Sequence, residues 1–235
     1  METLNLYTFK NMRKKNINAQ LSFAKKHGIE KLGLMSNKRW QEDPRGLLFS
    51  LARYKFVSKM FESKKNVLEV GCGDGWYSKI VAQTVGKLTI SDNDSTFIKN
   101  IKENKKTRNI KIILHDMIKS PTSKKFEGIY LLDVFEHIEK TKENIFLNNL
   151  KKSLTKSGIL IIGVPSLEFQ KYVKKPDPTH VNCKTADQLK SSLLKHFENI
   201  FMFSMNDEVV HTGYKKMSNY FIAVCTNKKT NKLYG

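Results

Sequence analysis

The stretch that most constrains the fold of this 235-residue chain is a short apolar run followed by three glycines. Val67 to Val70 has the β-branched character of a buried strand. Gly71, Gly73 and Gly75 follow at alternate positions, and a helical pattern of apolar residues begins directly after them. Strand, glycine turn and helix form the arrangement in which a backbone comes close to a ligand at a helix N-terminus. Glycine suits such a turn because it adopts positive φ and carries no Cβ. A tight turn without a ligand is the alternative.

The glycine spacing and the acid before the turn carry a family resemblance. A dinucleotide-binding fingerprint would place the third glycine one residue later. The string E-V-G-C-G-D-G resembles the first motif of the class I S-adenosylmethionine (AdoMet) dependent methyltransferases. The resemblance implies AdoMet as cofactor and S-adenosylhomocysteine as its product, and the glycine spacing disfavours an NAD enzyme. Cofactor contacts are predicted for Glu69, Gly71, Cys72, Gly73, Asp74, Gly75 and Trp76.

The ends of later strands supply further predicted cofactor contacts. Asp92 lies about 20 residues beyond the turn, where a carboxylate accepts from both ribose hydroxyls. Asp94 is predicted to cap the next helix instead. By resemblance to the family, Asp116 contacts the adenine amino group. The remaining predicted contacts are Asn93, Met117, Asp133 and Arg53; for Arg53 the alternative is the solvated face of an amphipathic helix.

The whole pattern predicts an α/β fold with a doubly wound, seven-stranded, mostly parallel sheet, an antiparallel last strand and N-terminal helices. Residues 1–44 are predicted to be a helical, basic arm, and residues 45–235 an AdoMet-dependent methyltransferase domain. The predicted strands begin at Val67, Lys87, Ile110, Gly128, Ile159, Ile200 and Tyr220. The last two are expected to form an antiparallel pair joined by a long polar loop.

Histidines cluster where the acceptor is expected. The string D-V-F-E-H-I, from Asp133 to Ile138, resembles the fourth motif of many small-molecule methyltransferases. Because parallel strands end at one edge of a sheet, three loops are expected to meet around one pocket. Histidine accepts protons near neutral pH, so the predicted catalytic residues are His180 first, then His137 and His211. His137 as a holder of its loop is an equal alternative, and Glu136 is predicted to anchor the loop rather than carry a proton.

The acceptor is predicted to contact Asn182, Asp207, Glu208 and Tyr172. Three histidines and two carboxylates also permit a metal site. The sequence lacks a local pair such as H-x-x-x-H, and no metal is predicted. The strings P-x-x-x-H-V-N-C-K and F-S-M-N-D-E-V-V-H-T-G resemble methyltransferases of bacterial surface-polysaccharide pathways. This resemblance implies a sugar-, phosphate- or nucleotide-linked building block of a capsular polysaccharide as acceptor, methylated on oxygen or nitrogen.

The formal net charge of +20 leaves three interpretations. The lysines form a solvated surface, attract an anionic small substrate, or line a nucleic-acid groove. Only five of the 42 basic residues are arginines, whereas base-reading and bidentate phosphate contacts favour arginine. A nucleic-acid partner is therefore disfavoured. The alternatives to the small-molecule enzyme are an RNA or DNA methyltransferase and a non-catalytic AdoMet-binding partner subunit.

Three cysteines, odd in number and widely spaced, favour a reducing compartment. No apolar run approaches the roughly 18 residues of a membrane helix, and the first residues lack the pattern of a signal peptide. A cytoplasmic protein without membrane insertion is predicted. The oligomeric state is left open.

Overall fold

The structure, a computed structural model, describes residues 2–103 and 109–229, with side chains described for 11–103 and 109–229. The chain divides into two compact units, Met1–Leu32 and Gly33–Gly235. The first contains one continuous helix, α1 (Glu2–His27). Its apolar side chains Met12, Leu21 and Phe23 are all exposed, and from residue 11 onward the apolar residues do not gather into one stripe that could be buried.

The second unit contains a sheet with the order β3-β2-β1-β4-β5-β8-β6-β7. Every predicted strand is present, usually longer than the sequence indicated. The strands are β1 (Asn66–Val70), β2 (Lys87–Asp92), β3 (Ile110–Leu114), β4 (Phe126–Leu132), β5 (Leu154–Pro165), β6 (Phe197–Asn206), β7 (Val209–His211) and β8 (Tyr220–Lys228). Neighbours from β3 to β5 are parallel, and β8 pairs antiparallel with both β5 and β6.

The predicted number of seven strands is wrong, because the sheet has eight. The extra strand, β7, lies in the loop expected between the last two strands and pairs antiparallel with the end of β6. Asp207 adopts a left-handed φ of 54°, which reverses the chain at once and lets Val209 and Val210 continue the sheet. Acids and a histidine around these valines obscured a strand that is only three residues long.

Helices cover both faces of the sheet, as expected for a doubly wound fold. They are α2 (Leu34–Glu42), α3 (Pro44–Met60), α4 (Ser78–Ala82), α5 (Ser95–Glu103), α6 (Glu143–Ser153), α7 (Leu167–Gln170) and α8 (Ala186–Leu194). Alternate residues of β4 enter separate cores: Ile129 and Leu131 pack with residues of α6 and α8, while Tyr130 and Leu132 pack with residues of α3 and α4. The core strands carry apolar residues at both parities because both faces are buried.

The parallel strands place the ends of β1, β2, β4 and β5 at one edge of the sheet, where α/β folds bind ligands. A 3₁₀ turn, Phe135–His137, follows β4 directly at this edge. None of the helices in the described ranges is long and apolar enough to span a membrane.

Candidate active site

The glycine turn after β1 has the backbone conformation that its glycines predicted. Gly71, Gly73 and Gly75 have φ values of 73°, 53° and 65°, which L side chains rarely adopt. The amides of Gly71 and Cys72 both donate to the carbonyl of Ser91, at 2.8 and 3.0 Å, and so attach the turn to the end of β2. A Cβ on Gly71 would lie 2.3 Å from Val134 Cγ2. The turn is therefore fixed between two strand ends.

Asp92 and Asp94 have different roles, and the predicted helix cap is Asp94. Asp94 Oδ1 accepts from Thr96 N at 2.7 Å at the start of α5, and hydrogen bonds from Thr96 lower the pKa of this exposed carboxyl. Asp92 is buried and accepts from Gly73 N and from Asp94 N, both at 2.9 Å. Since a carboxylate offers about four acceptor positions, Asp92 keeps capacity for a ligand while it holds the turn. Asn93 lies exposed between these two acids.

Asp74 joins the turn to the start of α2, a contact that the sequence did not predict. Its carboxylate accepts from Ser36 N at 2.7 Å and from Ser36 Oγ at 3.1 Å. It also accepts from Trp76 N at 3.1 Å. A Cβ on Gly73 would lie 2.6 Å from Met35 Sδ. The first turn of α2 thus packs directly over the glycines, and any cofactor there shares this surface with Met35.

Glu69 lies behind the turn rather than on its open side. It is 1% exposed, and its two oxygens accept from Tyr54 Oη at 2.6 Å and Tyr130 Oη at 2.7 Å. Burial raises the pKa of Glu69, and the hydrogen bonds from the tyrosines oppose that rise. The carboxylate therefore ties α3 and β4 to the end of β1. A direct cofactor contact by Glu69 stays a prediction.

The remaining residues predicted around the cofactor differ in access. Asp116 is partly buried and accepts from Ile118 N at 2.9 Å through Oδ1, beside Lys119 at 3.7 Å. Met117 is 3% exposed and packs within the core, so its contact with a cofactor stays a prediction. Cys72 is also buried, and burial raises the pKa of its thiol.

The end of β4 carries a strained, charged junction. Asp133 has a positive φ of 57°, a conformation that costs a non-glycine residue about 1 kcal/mol or more and is common at functional sites. Its Oδ2 accepts from Arg53 Nη1 at 2.7 Å. The Arg53 guanidinium stacks 3.6 Å above the ring of Tyr220. Burial alone would lower the pKa of Arg53, but Asp133 and Tyr220 raise it, so the arginine stays charged.

Glu136, His137 and His180 meet next to this junction. The two imidazole rings are 4.9 Å apart, and one ligand atom from each of the three side chains lies within 4.8 Å of the others. Glu136 is 1% exposed, and neither carboxylate oxygen has a hydrogen-bond partner in another described residue. Burial, and then the charge of Asp133, raise the pKa of Glu136 well above its ordinary value. Burial and the neighbouring His137 lower the pKa of His180.

The loop that carries His180 is anchored from both sides. Asn182 N donates to the carbonyl of Glu136 at 2.9 Å. Its side chain joins a buried ion pair between Lys184 Nζ and Glu143 Oε2, 2.8 Å apart. Asn182, a predicted substrate contact, is therefore a buried link between the loop and α6. Glu136 anchors the loop as predicted, but through its backbone carbonyl. Its carboxylate takes no part in this anchoring.

The structure does not bring His211, Asp207 or Glu208 to these histidines. His211 Nε2 contacts Asn206 Oδ1 at 2.9 Å, and Tyr172 is 79% exposed. Strands β5 and β8 separate β4 from β6. Asp207 and Glu208 form the turn between β6 and β7, and Glu208 borders an open cavity of about 510 Å³ lined by Leu48, Leu51, Ala52, Lys55 and Ile80. The expected single pocket is divided: these loops share a sheet edge but occupy different places along it.

Comparison with known proteins identifies the central part of the chain. A family model described as a methyltransferase domain matches residues 67–158. The matched segment contains β1, the glycine turn, the acids after β2 and β3, and the Asp133–His137 string. Residues 67–158 are therefore similar to a methyltransferase domain. AdoMet is the methyl donor that this assignment implies, and two similar solved structures contain S-adenosylhomocysteine; the predicted cofactor and enzyme class are confirmed at this level.

The similar solved structures confirm the predicted fold class. The N-methyltransferase NodS from Bradyrhizobium japonicum WM9, with S-adenosylhomocysteine, has a TM-score of 0.60 at 20% identity, covering 80% of this chain and 90% of NodS. The plantazolicin methyltransferase BpumL, also with S-adenosylhomocysteine, has a TM-score of 0.62 at 14% identity, covering 82% and 88%. A curated relative, (S)-tetrahydroprotoberberine N-methyltransferase of Eschscholzia californica, is 25% identical over 103 residues. That match spans 42% of this chain and only 29% of the plant protein.

Sequence reasoning missed the residues that hold the site from a distance. Tyr54 is predicted on a helix, facing either the cofactor or solvent, and Tyr130 in a strand, and no pattern links either tyrosine to an acid. Ser36 and Met35 precede the first strand by about thirty residues. Lys184 resembled one more solvated lysine, although it is buried. One sequence signal could have indicated a role for Lys184, because it is the last residue of the P-x-x-x-H-V-N-C-K string.

Proposed function

We propose that this protein transfers the methyl group of AdoMet to an oxygen or nitrogen of a small polar acceptor. The observation that supports the proposal best is the position of the Glu136–His137–His180 group, at the end of the strand next to the one that carries the glycine turn. In open α/β sheets this edge binds ligands. A cofactor on the turn would therefore have buried, unpartnered polar groups beside it.

The proposed reaction is an in-line displacement. A lone pair of the acceptor oxygen or nitrogen attacks the methyl carbon, the carbon–sulfur bond breaks, and its electron pair neutralises the sulfonium to give S-adenosylhomocysteine. The acceptor gives up a proton in the course of the reaction. Because the sulfonium is already reactive, the protein mainly positions and desolvates the two partners. His180 and His137 are the proposed groups for handling that proton, whereas His211 lies in a different part of the sheet edge.

The acceptor is proposed to be anionic. The net charge of +20 attracts anions over the whole surface. Two of the similar proteins are N-methyltransferases. For this chain, either nitrogen or oxygen is proposed as the methylated atom of the acceptor. A sugar-, phosphate- or nucleotide-linked building block of a capsular polysaccharide is the finer proposal, carried by the two loop strings around His180 and Glu208.

A cytoplasmic location is part of the proposal. Cys72, Cys183 and Cys225 are all free thiols, as is usual in a reducing compartment.

The decisive experiment is methyl transfer from isotopically labelled AdoMet, offered separately to a small-metabolite extract and to total nucleic acid. Label in the small-molecule fraction is expected, and mass spectrometry would then name the product. Label in nucleic acid alone would replace the proposal with an RNA or DNA methyltransferase.

Cofactor binding can be tested separately. Trp76 adjoins the glycine turn and its amide is held by Asp74, so its fluorescence reports on the turn. S-adenosylhomocysteine is expected to change the fluorescence, and NAD is not. Binding without transfer to either pool would favour a partner subunit that binds AdoMet without catalysis.

A further inference from the structure

The residues Glu136, His137 and His180 are more than a possible acid–base group. We propose that they bind one divalent transition-metal ion, which in turn binds the acceptor. The role of the ion rests on the proposed methyl transfer, whereas the binding of the ion does not. Side-chain geometry and burial support this ion, although the sequence predicts no metal.

The buried carboxylate is the first reason. Glu136 is 1% exposed, and both its oxygens lack a partner among the other described residues. Buried polar groups are almost always satisfied, and an ionised carboxylate without a partner is among the most costly exceptions. A cation in contact with these oxygens would satisfy both the charge and the lone pairs.

The surrounding charges also favour a cation. Asp133 and Asp177 both act on Glu136 electrostatically, and Arg53 is the positive group that opposes them. Arg53 is already committed to Asp133 at 2.7 Å. In a chain with nearly twice as many basic as acidic residues, this local group of acids with one committed arginine is an exception.

The histidines are oriented as metal ligands are. Nδ1 of His137 lies 3.1 Å from the carbonyl of Thr179; because a carbonyl only accepts, Nδ1 carries the proton and Nε2 is left with its lone pair. His180 Nε2 is 4.0 Å from Asp177 Oδ2, while its Nδ1 is buried without a partner among the described residues. A ligating histidine typically turns its other nitrogen to a carbonyl or carboxylate.

The three ligands are also held together before any ion binds. Glu136 and His137 belong to the 3₁₀ turn after β4, and His180 belongs to the loop after β5. The Asn182 amide ties that loop to the carbonyl of Glu136 at 2.9 Å. The ligand atoms lie within 4.8 Å of one another, and tetrahedral bonds of about 2.0–2.1 Å would bring them to about 3.3 Å. The longest separation then has to close by about 1.5 Å, and His137, the exposed member of the group, has room to move.

The donor set indicates the class of metal. Two imidazoles and one carboxylate suit zinc, manganese, iron, cobalt or nickel in the divalent state, whereas magnesium and calcium prefer oxygen ligands. Three protein ligands leave at least one position for an acceptor atom. The bound ion would polarise an acceptor hydroxyl and lower its pKa, so that its proton leaves to water while the oxygen attacks the methyl group. The histidines would then be ligands and not bases.

The test is cobalt binding by the chelator-stripped, full-length protein, followed by the visible absorption of Co²⁺ and by equilibrium dialysis. One Co²⁺ per chain is expected. Glu136→Gln, His137→Ala and His180→Ala are each expected to weaken binding roughly 100-fold or more, since loss of even outer partners costs about 10–100-fold. His115→Gln is the matched control, because this histidine instead contacts the carbonyl of Ser120 at 3.0 Å.

Folding and function are controlled separately. Glu136→Gln keeps shape and volume, and its thermal unfolding without metal verifies that it folds. Lack of Co²⁺ binding at micromolar concentration, or equal binding by the three variants and the wild type, would overturn the metal site. If methyl transfer persists after chelation and Co²⁺ does not bind, the proposed function is supported and the proposed metal site is contradicted. If Co²⁺ binds specifically but no acceptor is methylated, the metal site is supported and the proposed function is contradicted.

Discussion

The two halves of the candidate site satisfy their polar groups in opposite ways. At the glycine turn, the carboxylates of Glu69, Asp74 and Asp92 all accept hydrogen bonds from the protein itself. At the end of β4, Glu136 keeps two buried oxygens without partners in the described part of the chain, and His180 keeps a buried nitrogen. The carboxylates of the turn are thus satisfied within the protein, whereas the β4 end keeps buried polar atoms that can still bind a ligand.

This difference indicates which half binds and which half reacts. The turn holds carboxylates and amides alike in internal hydrogen bonds, so it offers a cofactor one fixed surface, which suits a group that every turnover needs in the same position. Unsatisfied polar groups cost stability, and such a cost is typical of functional sites. Changes at the turn should therefore affect cofactor binding and folding, while changes at the β4 end should affect catalysis.

The largest expected effect is that of His180→Ala on methyl transfer. Loss of a ligand or of a proton acceptor is expected to lower turnover about 100-fold or more. Binding of S-adenosylhomocysteine should stay within about twofold, because the contacts of His180 lie with His137 and Asp177. Turnover is measured with labelled AdoMet and affinity by titration calorimetry. A parallel fall in both quantities would break the separation of the two halves.

Lys184→Met tests how the β4 end is held. Lys184 and Glu143 form an ion pair whose side chains are 8% and 13% exposed. Removing one partner of a buried pair costs about 3–5 kcal/mol, because the other charge stays buried. The free energy of unfolding, measured with urea, should fall by about that amount, and turnover should fall with it as the His180 loop loosens. The control is Lys215→Met, which breaks the exposed pair with Asp187 and should cost about 1 kcal/mol or less.

Gly71→Ala is the corresponding change at the turn. The positive φ of 73° and the 2.3 Å approach to Val134 act together. A left-handed conformation costs about 1–2 kcal/mol and overpacking about 1–3, so a loss of about 3 kcal/mol in unfolding free energy is expected, with weaker cofactor binding. Gly213→Ala is the control, because nothing lies within 4 Å of its added Cβ; its stability should change by less than about 0.5 kcal/mol. Equal losses in the two variants would show that the turn is not rigid.

The fold was predictable where local pattern and tertiary structure agree. The buried strands are apolar at both parities, and the turn needs glycines at fixed positions, so both are visible in the sequence. Asp94 as a cap was visible too, because a cap acts on amides two residues away. Strand β7 was not, since three residues carry too little periodicity to outweigh the acids before them.

The site was predictable by topology but not in detail. Strand ends brought His137 and His180 together, as parallel connectivity requires. His211 and Glu208 were expected beside them, but the antiparallel end of the sheet moves the β6–β7 turn aside, and no sequence pattern gives that distance. Ser36 on Asp74 and Tyr54 on Glu69 are contacts between distant segments. Such contacts depend on how α2 and α3 pack, which composition and periodicity do not encode.

The smallest effect is expected from Glu69→Gln, and its sign with pH is the informative part. Two tyrosine hydroxyls donate to Glu69, and an amide retains only one oxygen acceptor, so a loss of about 1–3 kcal/mol in unfolding free energy is expected at acidic pH.

Burial raises the pKa of Glu69. Between the ordinary glutamate pKa and this raised value, the native state binds more protons than the unfolded state. The stability of the wild type therefore falls as pH rises through that window, while the variant lacks the dependence. Urea unfolding at a series of pH values should show the difference between the two proteins narrowing as the pH rises above the ordinary glutamate pKa of about 4. A difference that widens instead would mean that the hydrogen bonds from Tyr54 and Tyr130 stabilise Glu69 as a carboxylate and outweigh its burial.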